Sequence, residues 1–199
     1  MALTTYDELN ASIADYLARS DLATQIVDYV TLFEAKACRA LKVRPMETST
    51  TLTTSSGTAT LPSGYLGWRR VTWTGTPRRE LAYVHPSLLQ ASYPDSTAGS
   101  PNLFTIEGSS LKVRPIDDTG LEFDYYAKTA AVSSSLNWLY TNHPDCYLAG
   151  SLSEAYAMLK DWEAAAPWTA IRDRIFQEIG NLNFNEQGSL QIRVMGATP

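Results

Sequence analysis

A histidine, an aspartate and a cysteine lie within four positions of one another in TNHPDCYLAG, residues 141–150. In a catalytic interpretation, Cys146 would be a nucleophile and His143 its base, and the N-terminus of a helix would lower the pKa of the thiol. Residues three positions apart at a helix boundary seldom point at a common substrate. The sequence also offers no third group to orient the base and no oxyanion donor, so we do not favour this site.

The same residues form a helix start. Proline is preferred at the first helical position, and a carboxylate in the first turn interacts well with the positive end of the helix dipole. We therefore interpret Asn142 or His143, followed by Pro144 and Asp145, as a cap, and Cys146 as a small buried hydrophobic residue.

Other chemistry-bearing motifs are missing from the sequence. His85 is the only other histidine, and no spacing of histidines, cysteines and carboxylates is typical of a metal site. A glycine-rich phosphate loop, a G-x-S-x-G turn and an H-E-x-x-H helix are absent. We expect a binding or structural protein without enzymatic activity, metal or cofactor.

Length and composition limit the class of protein and its compartment. A chain of 199 residues suits one well-buried domain, or one core with a sizeable insertion. A net charge of -5 argues against general electrostatic binding of nucleic acid, although DNA could pass nearby without being held. Cys38 and Cys146 have no zinc or disulfide spacing, which favours a reducing compartment. With no signal peptide and no apolar run long enough for a membrane span, we expect a cytoplasmic protein.

Helical periodicity occupies both ends of the chain. The first helix begins with the capping-box pair Thr5 and Glu8. The second starts near Ser20 or Asp21 and must stop by Arg44, because Pro45 disfavours helical geometry in the residue before it. A second helical hairpin follows at 141–187, which we expect to be broken at Pro167. The predicted apolar positions of the first two helices are Leu9, Ile13, Tyr16, Leu17, Leu22, Ile26, Tyr29, Val30, Phe33, Ala37 and Leu41.

A β-rich module with its linker is predicted at 46–140, where the period falls toward two. We expect a hairpin turning at 55–57, a strand pair in WRRVTWT and RRELAYV, a short helix in HPSLLQASY, a hairpin closed by Gly108, and an alternating strand in LEFDYYAK. The fold class is therefore α+β. A discontinuous helical bundle core, 1–45 and 141–187, with two N-terminal and two C-terminal helices, carries an antiparallel insertion and an extended C-terminal tail, 188–199.

Three segments together resemble the head-to-tail adaptor (connector) proteins of tailed bacteriophages. They are TTYDELNASIADYLARSDLATQIVDYVTLFEAKACRALKVRPME, ATLPSGYLGWRRV and NWLYTNHPDCYLAGSLSEAYAMLKDWEAAAPW. The motifs R-x-D-L, L-P-x-x-[YF], N-W-L and P-D-x-Y-L-x-[GA]-x-L-x-E-A carry the resemblance, which extends to about residue 183.

The resemblance implies a virion protein of the neck, assembled in the host cytoplasm. Such adaptors form a ring, usually dodecameric, of identical subunits docked beneath the portal protein, and a tail or nozzle/stopper protein binds below. DNA passes through the channel without specific binding, and no membrane, enzymatic activity or cofactor is involved. Acidic helix residues are candidates for a smooth channel wall, although the ordinary solvated helix position is the simpler interpretation of each: Asp7, Glu8, Asp15, Asp28, Glu154, Asp161 and Glu163.

The tail GSLQIRVMGATP alternates like a strand but has no hairpin partner after the last helix. A lone strand leaves backbone groups unpaired, so it should add to the edge of another sheet, either that of its own β-rich module or that of a partner. We expect the tail strand to bind the portal or a neighbouring subunit. A disordered tail is the alternative. The tail-strand residues are Leu190, Gln191, Ile192, Arg193 and Val194.

Arginines and aromatic residues, which interfaces favour, concentrate in the β-rich module. The interface candidates are Arg69, Arg70, Arg78, Arg79, Tyr83 and Tyr126. The arginines could contact DNA or a neighbour's carboxylates. Core packing is the expected fate of about half of the aromatic residues, with Trp73 and Trp138 as the best core candidates. Small residues in the third helix, from Ala149 to Ala157, permit close helix approach within one subunit or between neighbours.

A different class of protein also fits these observations. A β-rich ligand- or carbohydrate-binding module would work as a monomer with a saturable aromatic cleft and would not assemble into rings.

Overall fold

The computed structural model describes residues 3–93 and 97–186. Within them, six α-helices and two four-stranded β-sheets confirm the mixed α+β class. The helices are α1 (Tyr6–Leu17), α2 (Ala23–Ala40), α3 (Pro86–Ser92), α4 (Trp138–Asn142), α5 (Pro144–Met158) and α6 (Trp162–Glu186), with a 3-10 turn at Arg44–Met46. The strands are β1 (Glu47–Leu52), β2 (Thr58–Thr60), β3 (Tyr65–Trp73), β4 (Arg79–Glu80), β5 (Ala82–Tyr83), β6 (Leu103–Glu107), β7 (Ser110–Arg114) and β8 (Leu121–Ala127).

Two units make up the chain. The helical unit is formed by the residues up to Arg44 and from Ala130 onward, and the β unit is Pro45–Thr129. The segment 130–140, which the sequence analysis placed with the insertion, belongs to the helical unit. Its Val132 N–H donates to the Glu34 carboxylate at 2.7 Å, and Asn137 Nδ2 donates to the Tyr147 hydroxyl at 2.6 Å.

The capping box predicted at the first helix is confirmed. The Thr5 hydroxyl accepts from the Glu8 N–H at 3.2 Å, and the Glu8 carboxylate accepts from the Thr5 N–H at 3.0 Å. The predicted apolar face is buried except at Tyr16, which is 53% exposed and sets its ring edge-on against Trp168 at 5.4 Å. The buried face of the second helix matches the prediction from Ile26 to Ala37.

The helix α5 is buried on nearly all sides because α1, α2 and α6 all pack against it. Its small residues allow this close approach: at Gly150 the helix backbone lies directly against the ring of Phe33 on α2. Of the two explanations left open by the sequence, packing within one subunit accounts for the small residues from Ala149 to Ala155, all of them buried.

The break between α5 and α6 lies at Lys160, so the prediction of a break at Pro167 is wrong. Lys160 takes the left-handed conformation with φ 63°. The Lys160 and Asp161 N–H groups bond back to the carbonyls of Ala157 and Tyr156, which ends α5. Asp161 then caps α6 by accepting from the Ala164 N–H at 3.1 Å. Pro167 lies inside α6, which continues through it.

The β unit is a sandwich of two sheets with strand orders β1-β8-β3-β4 and β2-β7-β6-β5. One hydrophobic core takes residues from both sheets. The alternation predicted for LEFDYYAK is confirmed: Leu121, Phe123 and Tyr125 are buried in this core. The hairpin closed by Gly108 is also confirmed, as β6 and β7 pair antiparallel.

The turn at 55–57 forms, but the hairpin predicted around it does not. Ser55 and Thr58 exchange backbone hydrogen bonds at 2.8 and 3.0 Å, and Ser56 and Gly57 have positive φ angles. The flanking strands join different sheets, since β1 pairs with β8 and β2 pairs with β7. The buried Thr54 hydroxyl, hydrogen-bonded to the carbonyls of Asp117 and Thr119, fixes this crossing.

The strand predicted in RRELAYV is likewise divided. Its first part, β4, pairs with β3 at Thr72–Glu80 and Trp73–Arg79, whereas β5 pairs with β6 in the other sheet. This β5–β6 pairing is parallel, which corrects the prediction of a wholly antiparallel insertion. The predicted short helix α3 lies in the connection and lets the chain return in the same direction.

Candidate assembly surfaces

The segment TNHPDCYLAG, residues 141–150, contains a helix start, as predicted. His143 is the N-cap of α5, Pro144 is its first residue, and Asp145 lies in the first turn. Asn142 is the last residue of α4 and not the cap, because a separate short helix precedes α5. The His143 side chain makes no capping hydrogen bond, and its ring lies edge-on to Trp138 at 6.5 Å.

Cys146 is unsuited to be a nucleophile. Its side chain is fully buried, and burial raises the pKa of the Cys146 thiol to about 12. A protonated, inaccessible thiol is a poor nucleophile at neutral pH. Within residues 3–93 and 97–186, no group of three or more histidine, cysteine, aspartate or glutamate side chains could hold a metal ion.

Three of the interface-candidate arginines form ion pairs across the outer face of the first sheet. Arg69 Nε lies 3.2 Å from the Glu47 carboxylate, and Arg70 Nε donates to Asp124 at 2.8 Å. Arg78 pairs with Glu122.

These pairs place the cations outermost. The three arginine side chains are 41%, 51% and 59% exposed, whereas their carboxylate partners are 27%, 21% and 29% exposed. Since a guanidinium has five N–H donors, each arginine keeps donors for a further partner. Because each arginine is paired with a carboxylate, this face attracts DNA phosphates less strongly. The N–H donors that remain free can still form specific hydrogen bonds.

Two of the interface-candidate arginines, Arg69 and Arg79, also contact aromatic side chains of the same sheet. The Tyr126 hydroxyl accepts from Arg69 Nη1 at 3.0 Å. The Arg79 guanidinium lies 5.5 Å from the centroid of the Trp73 ring, a cation–π contact. Trp73 itself is 4% exposed, which confirms it as a core residue.

Trp138 is only half-buried, so the prediction that it is a core residue is wrong. Leu139 and Tyr140 beside it are buried instead. The short helix α4 turns these two side chains inward. The Tyr140 hydroxyl donates to the Thr5 carbonyl at 2.7 Å, which ties α4 to the start of α1.

Tyr83 belongs to an aromatic cluster that joins the two sheets of the sandwich. Its ring stacks on Trp68 at 5.5 Å, and both rings meet the buried Phe104 edge-on at 5.3 to 5.6 Å. Trp68 and Tyr83 are 40% and 44% exposed. Such a half-exposed aromatic pair is typical of a contact surface.

The acidic candidates for a channel wall differ in their surroundings. Asp7, Asp15, Asp28 and Glu163 are exposed. Glu8 and Asp161 cap helices. Glu154 is buried and ion-paired with Lys36 at 2.6 Å and Arg172 at 3.5 Å, so it is not the solvated residue that a channel wall would need.

The Glu154 ion-pair network and the Glu34–Tyr147 hydrogen bond were missed by sequence reasoning. The Tyr147 hydroxyl donates to Glu34 at 2.9 Å. Lys36 and Glu154 are 118 residues apart in the chain and Glu34 and Tyr147 are 113 apart, so no local pattern links them. The tail strand, Leu190–Val194, lies outside the described residues.

No helix among the residues described is both long and apolar enough to cross a membrane. No curated protein matches the sequence. The family model of the SU10 adaptor protein matches residues 4–194, nearly the whole chain. The chain therefore belongs to the SU10 adaptor protein family, which confirms the resemblance to phage head-to-tail adaptors.

Proposed function

We propose that this phage adaptor forms a ring of identical subunits, twelve as in the adaptors it resembles, between the portal and a tail or nozzle/stopper protein. The ring encloses a channel through which DNA passes without specific binding. The role is structural rather than enzymatic, and the ring assembles in the host cytoplasm and remains in the virion neck. The match of the family over 4–194 is the observation that carries this proposal.

The packing of the helical unit supports the proposal that this unit is a rigid part of the ring. The central helix α5 is enclosed by three others, and ion pairs and hydrogen bonds link segments far apart in the chain. A helical bundle core of two N-terminal and two C-terminal helices would thus keep its shape while DNA moves past it. The buried Phe33 and Tyr147 rings, 5.0 Å apart, join α2 to α5 at its centre.

Weak attraction to DNA suits a channel protein. The net charge is -5, and the exposed Arg70 and Arg78 are paired with the chain's own carboxylates. Because phosphate affinity grows with the number of unpaired cations, such a surface lets DNA slide. We assign the arginines to contacts with neighbouring subunits, where their remaining N–H donors would meet backbone or carboxylate oxygens.

Electron microscopy of the protein mixed with its portal ring tests the proposal. Rings should appear beneath the portal, and the variant Arg69→Gln with Arg70→Gln should form fewer of them. The matched control is Lys112→Gln. This variant removes an ion pair with Glu107 that also joins neighbouring strands, but in the other sheet. A protein that never joins its cognate portal contradicts the adaptor role.

One observation favours the alternative of a carbohydrate-binding module, namely the exposed Trp68–Tyr83 pair. Sugars stack on open aromatic faces, but here each ring already has an aromatic neighbour. Saturable binding of a glycan by the monomer, lost in Trp68→Ala, would support this alternative.

A further inference from the structure

We infer that a groove between α2 and α6 of one subunit receives helix α1 of a neighbouring copy. The inference rests on the proposed ring and names the contact through which its subunits join. Both surfaces belong to the helical unit.

The α2–α6 groove has a volume of about 560 Å³. Small side chains of α5 and α6 line it, among them Ala157, Ala166 and Ala170, and Lys36 of α2 lies at its other wall. Trp162, at the start of α6, also lines the groove and is 68% exposed. A helix laid along this groove would bury the tryptophan and the alanines, as amphipathic helices do in the grooves of their partners.

Helix α1 lies on the other side of α5 from this groove. The helices α1, α2 and α6 all pack against α5, but the residues that line the groove come from α2, α5 and α6. Helix α1 contacts α2 on one side and reaches α6 on the other through the Tyr16–Trp168 ring pair. Two complementary surfaces on opposite sides of one subunit make a head-to-tail contact, and such contacts can close into a ring.

The course of the helices sets the direction of the neighbour's α1. The Tyr140 hydroxyl donates to the Thr5 carbonyl at 2.7 Å and the Tyr156 hydroxyl to the Tyr16 carbonyl at 3.0 Å, so α1 runs in the same direction as α5. Helix α2 follows α1 after a short connection and runs back. Rotation about a ring axis that lies along the helices keeps these directions, so the neighbour's α1 begins beside the C-terminal end of α2.

Charges at the two ends of this contact are complementary. Asp7 and Asp15 are exposed on α1, which contains no basic residue. Arg39 in the last turn of α2 and Lys160 after α5 are exposed as well, and none of the four has an ion pair within residues 3–93 and 97–186. The direction of the neighbour's α1 brings Asp7 toward Arg39 and Asp15 toward Lys160. The two aspartates then belong to the contact between copies instead of the channel wall.

The charged side chains that line the groove itself are already paired with one another. Lys36 and Arg172 lie 2.6 and 3.5 Å from the Glu154 carboxylate, and Arg172 also pairs with Asp173 at 2.8 Å. The groove therefore neither attracts nor repels an acidic helix along its length. The unpaired cations at its two ends decide how the helix lies.

Helix α1 also has the length and the surface for this groove. Its 12 residues span about 18 Å, the same length as the part of α6 from Trp162 to Asp173 that lines the groove. Ala11 and Ala18 are exposed on α1 next to the two aspartates. Small side chains on both helices allow the helix axes to approach closely.

Chemical cross-linking of the full-length protein tests the inference. One population carries Ala11→Cys and the other Ala170→Cys, and the two are mixed, assembled with the portal and treated with a short bis-maleimide. Both natural cysteines are buried, so the unsubstituted protein serves as the blank. Ile171→Cys replaces Ala170→Cys as the matched control, because Ile171 is the next residue of α6, is 38% exposed and does not line the groove.

The expected result is a cross-linked pair with one chain of each population, about tenfold more abundant than with Ile171→Cys, because the contact holds the two thiols close together. Equal yields with Ala170→Cys and Ile171→Cys, or no pair between chains in rings that have formed, would overturn the inference and leave the adaptor role intact.

A charge exchange tests the same contact without cross-linking. Asp7→Arg and Arg39→Asp each place like charges opposite one another, so each should lower the fraction of subunits in rings by about tenfold. The two substitutions combined in one chain restore the pairing and should restore the rings. Both residues are exposed, and circular dichroism checks that each variant is folded.

Single variants that assemble as well as the unsubstituted protein, or a combined variant that assembles no better than either, would contradict the inference. Native mass measured on the same samples separates these outcomes from a failure of the unsubstituted protein to form rings, which would overturn both the contact and the proposed function.

Discussion

Gly150 on α5 lies directly against Phe33 on α2: a Cβ added to the glycine would be 2.0 Å from Phe33 Cδ2. Real Cβ atoms do not approach that closely, so the two helices are held together at a distance that only glycine allows. The small residues of the third predicted helix thus serve the interior of the subunit.

We predict that Gly150→Ala lowers the free energy of unfolding by about 1–3 kcal/mol, because the ring of Phe33 or the helix backbone must shift. Urea unfolding followed by circular dichroism measures the change. The control is Gly180→Ala in α6, where an added Cβ would meet no atom within 4 Å. That variant should gain about 0.5–1 kcal/mol from helix propensity. Equal effects at both glycines would contradict the packing argument.

Removal of the Glu154 carboxylate should destabilise the helical unit. In Glu154→Gln, Lys36 and the largely buried Arg172 lose their common partner. Breaking a buried ion pair costs about 3–5 kcal/mol, and we expect a loss at or below the lower end because Lys36 is 45% exposed. Chemical denaturation of the variant checks this expectation.

The matched control for Glu154→Gln is Glu178→Gln, whose exposed partner Arg174 lies one helical turn away in sequence. An exposed pair at this spacing contributes only about 0.3–0.5 kcal/mol. Comparable losses in the two variants would mean that the Glu154 network is not a special contributor to stability.

Stability of the β unit should depend on pH through Asp117. Hydrogen bonds from Thr119 and from Trp73 lower the pKa of the Asp117 carboxyl below its ordinary value of 3.8. A carboxyl with a lowered pKa in the folded state stabilises the protein above its unfolded pKa, and that contribution is lost as the pH falls through the folded pKa.

We therefore predict that Asp117→Asn is less stable than the unsubstituted protein at pH 7, and that the difference shrinks when the pH falls below about 4. Urea unfolding at both pH values, monitored by tryptophan fluorescence, gives the comparison. A difference that is the same at pH 3 and pH 7 would show that the charge of Asp117 is irrelevant.

Both cysteines should resist thiol reagents in the folded protein. Cys38 and Cys146 are buried, and the Cys146 thiol has a pKa of about 12. A colorimetric disulfide reagent at pH 8 should therefore label neither thiol until urea is added, and then label both. Rapid labelling of Cys146 in the native protein would restore the nucleophile interpretation that the structure argues against.

The sequence predicted those elements whose signals are local. The capping box joins Thr5 and Glu8, which are three positions apart, and the alternation in LEFDYYAK indicates directly which face is buried. The turn at Ser56 and Gly57 was also predicted, but the partners of its flanking strands were not. Strand pairing depends on contacts between distant segments, and here β1 and β8 are about seventy residues apart.

The helix break wrongly predicted at Pro167 shows that a strong local signal can also mislead. A proline is a strong local signal, yet the helix continues through it, whereas Lys160 ends α5 with a left-handed backbone that lysine rarely adopts. The sequence indicates the arginines and Tyr83 as interface candidates, which stays a prediction, but it does not indicate that Arg69, Arg70 and Arg78 lie over carboxylates of their own sheet. Those pairings depend on the register between β1, β8 and β3.

We propose that this protein assembles as a ring on a portal, with the tail as its anchor. Native mass spectrometry of the cognate portal mixed with the protein, intact and with residues 188–199 deleted, tests it most directly. We predict a stoichiometric ring, twelve subunits per portal, with the intact protein and no stable ring after the deletion. Rings that persist without the tail would contradict its anchoring role, and the absence of any complex with the intact protein would contradict the adaptor function itself.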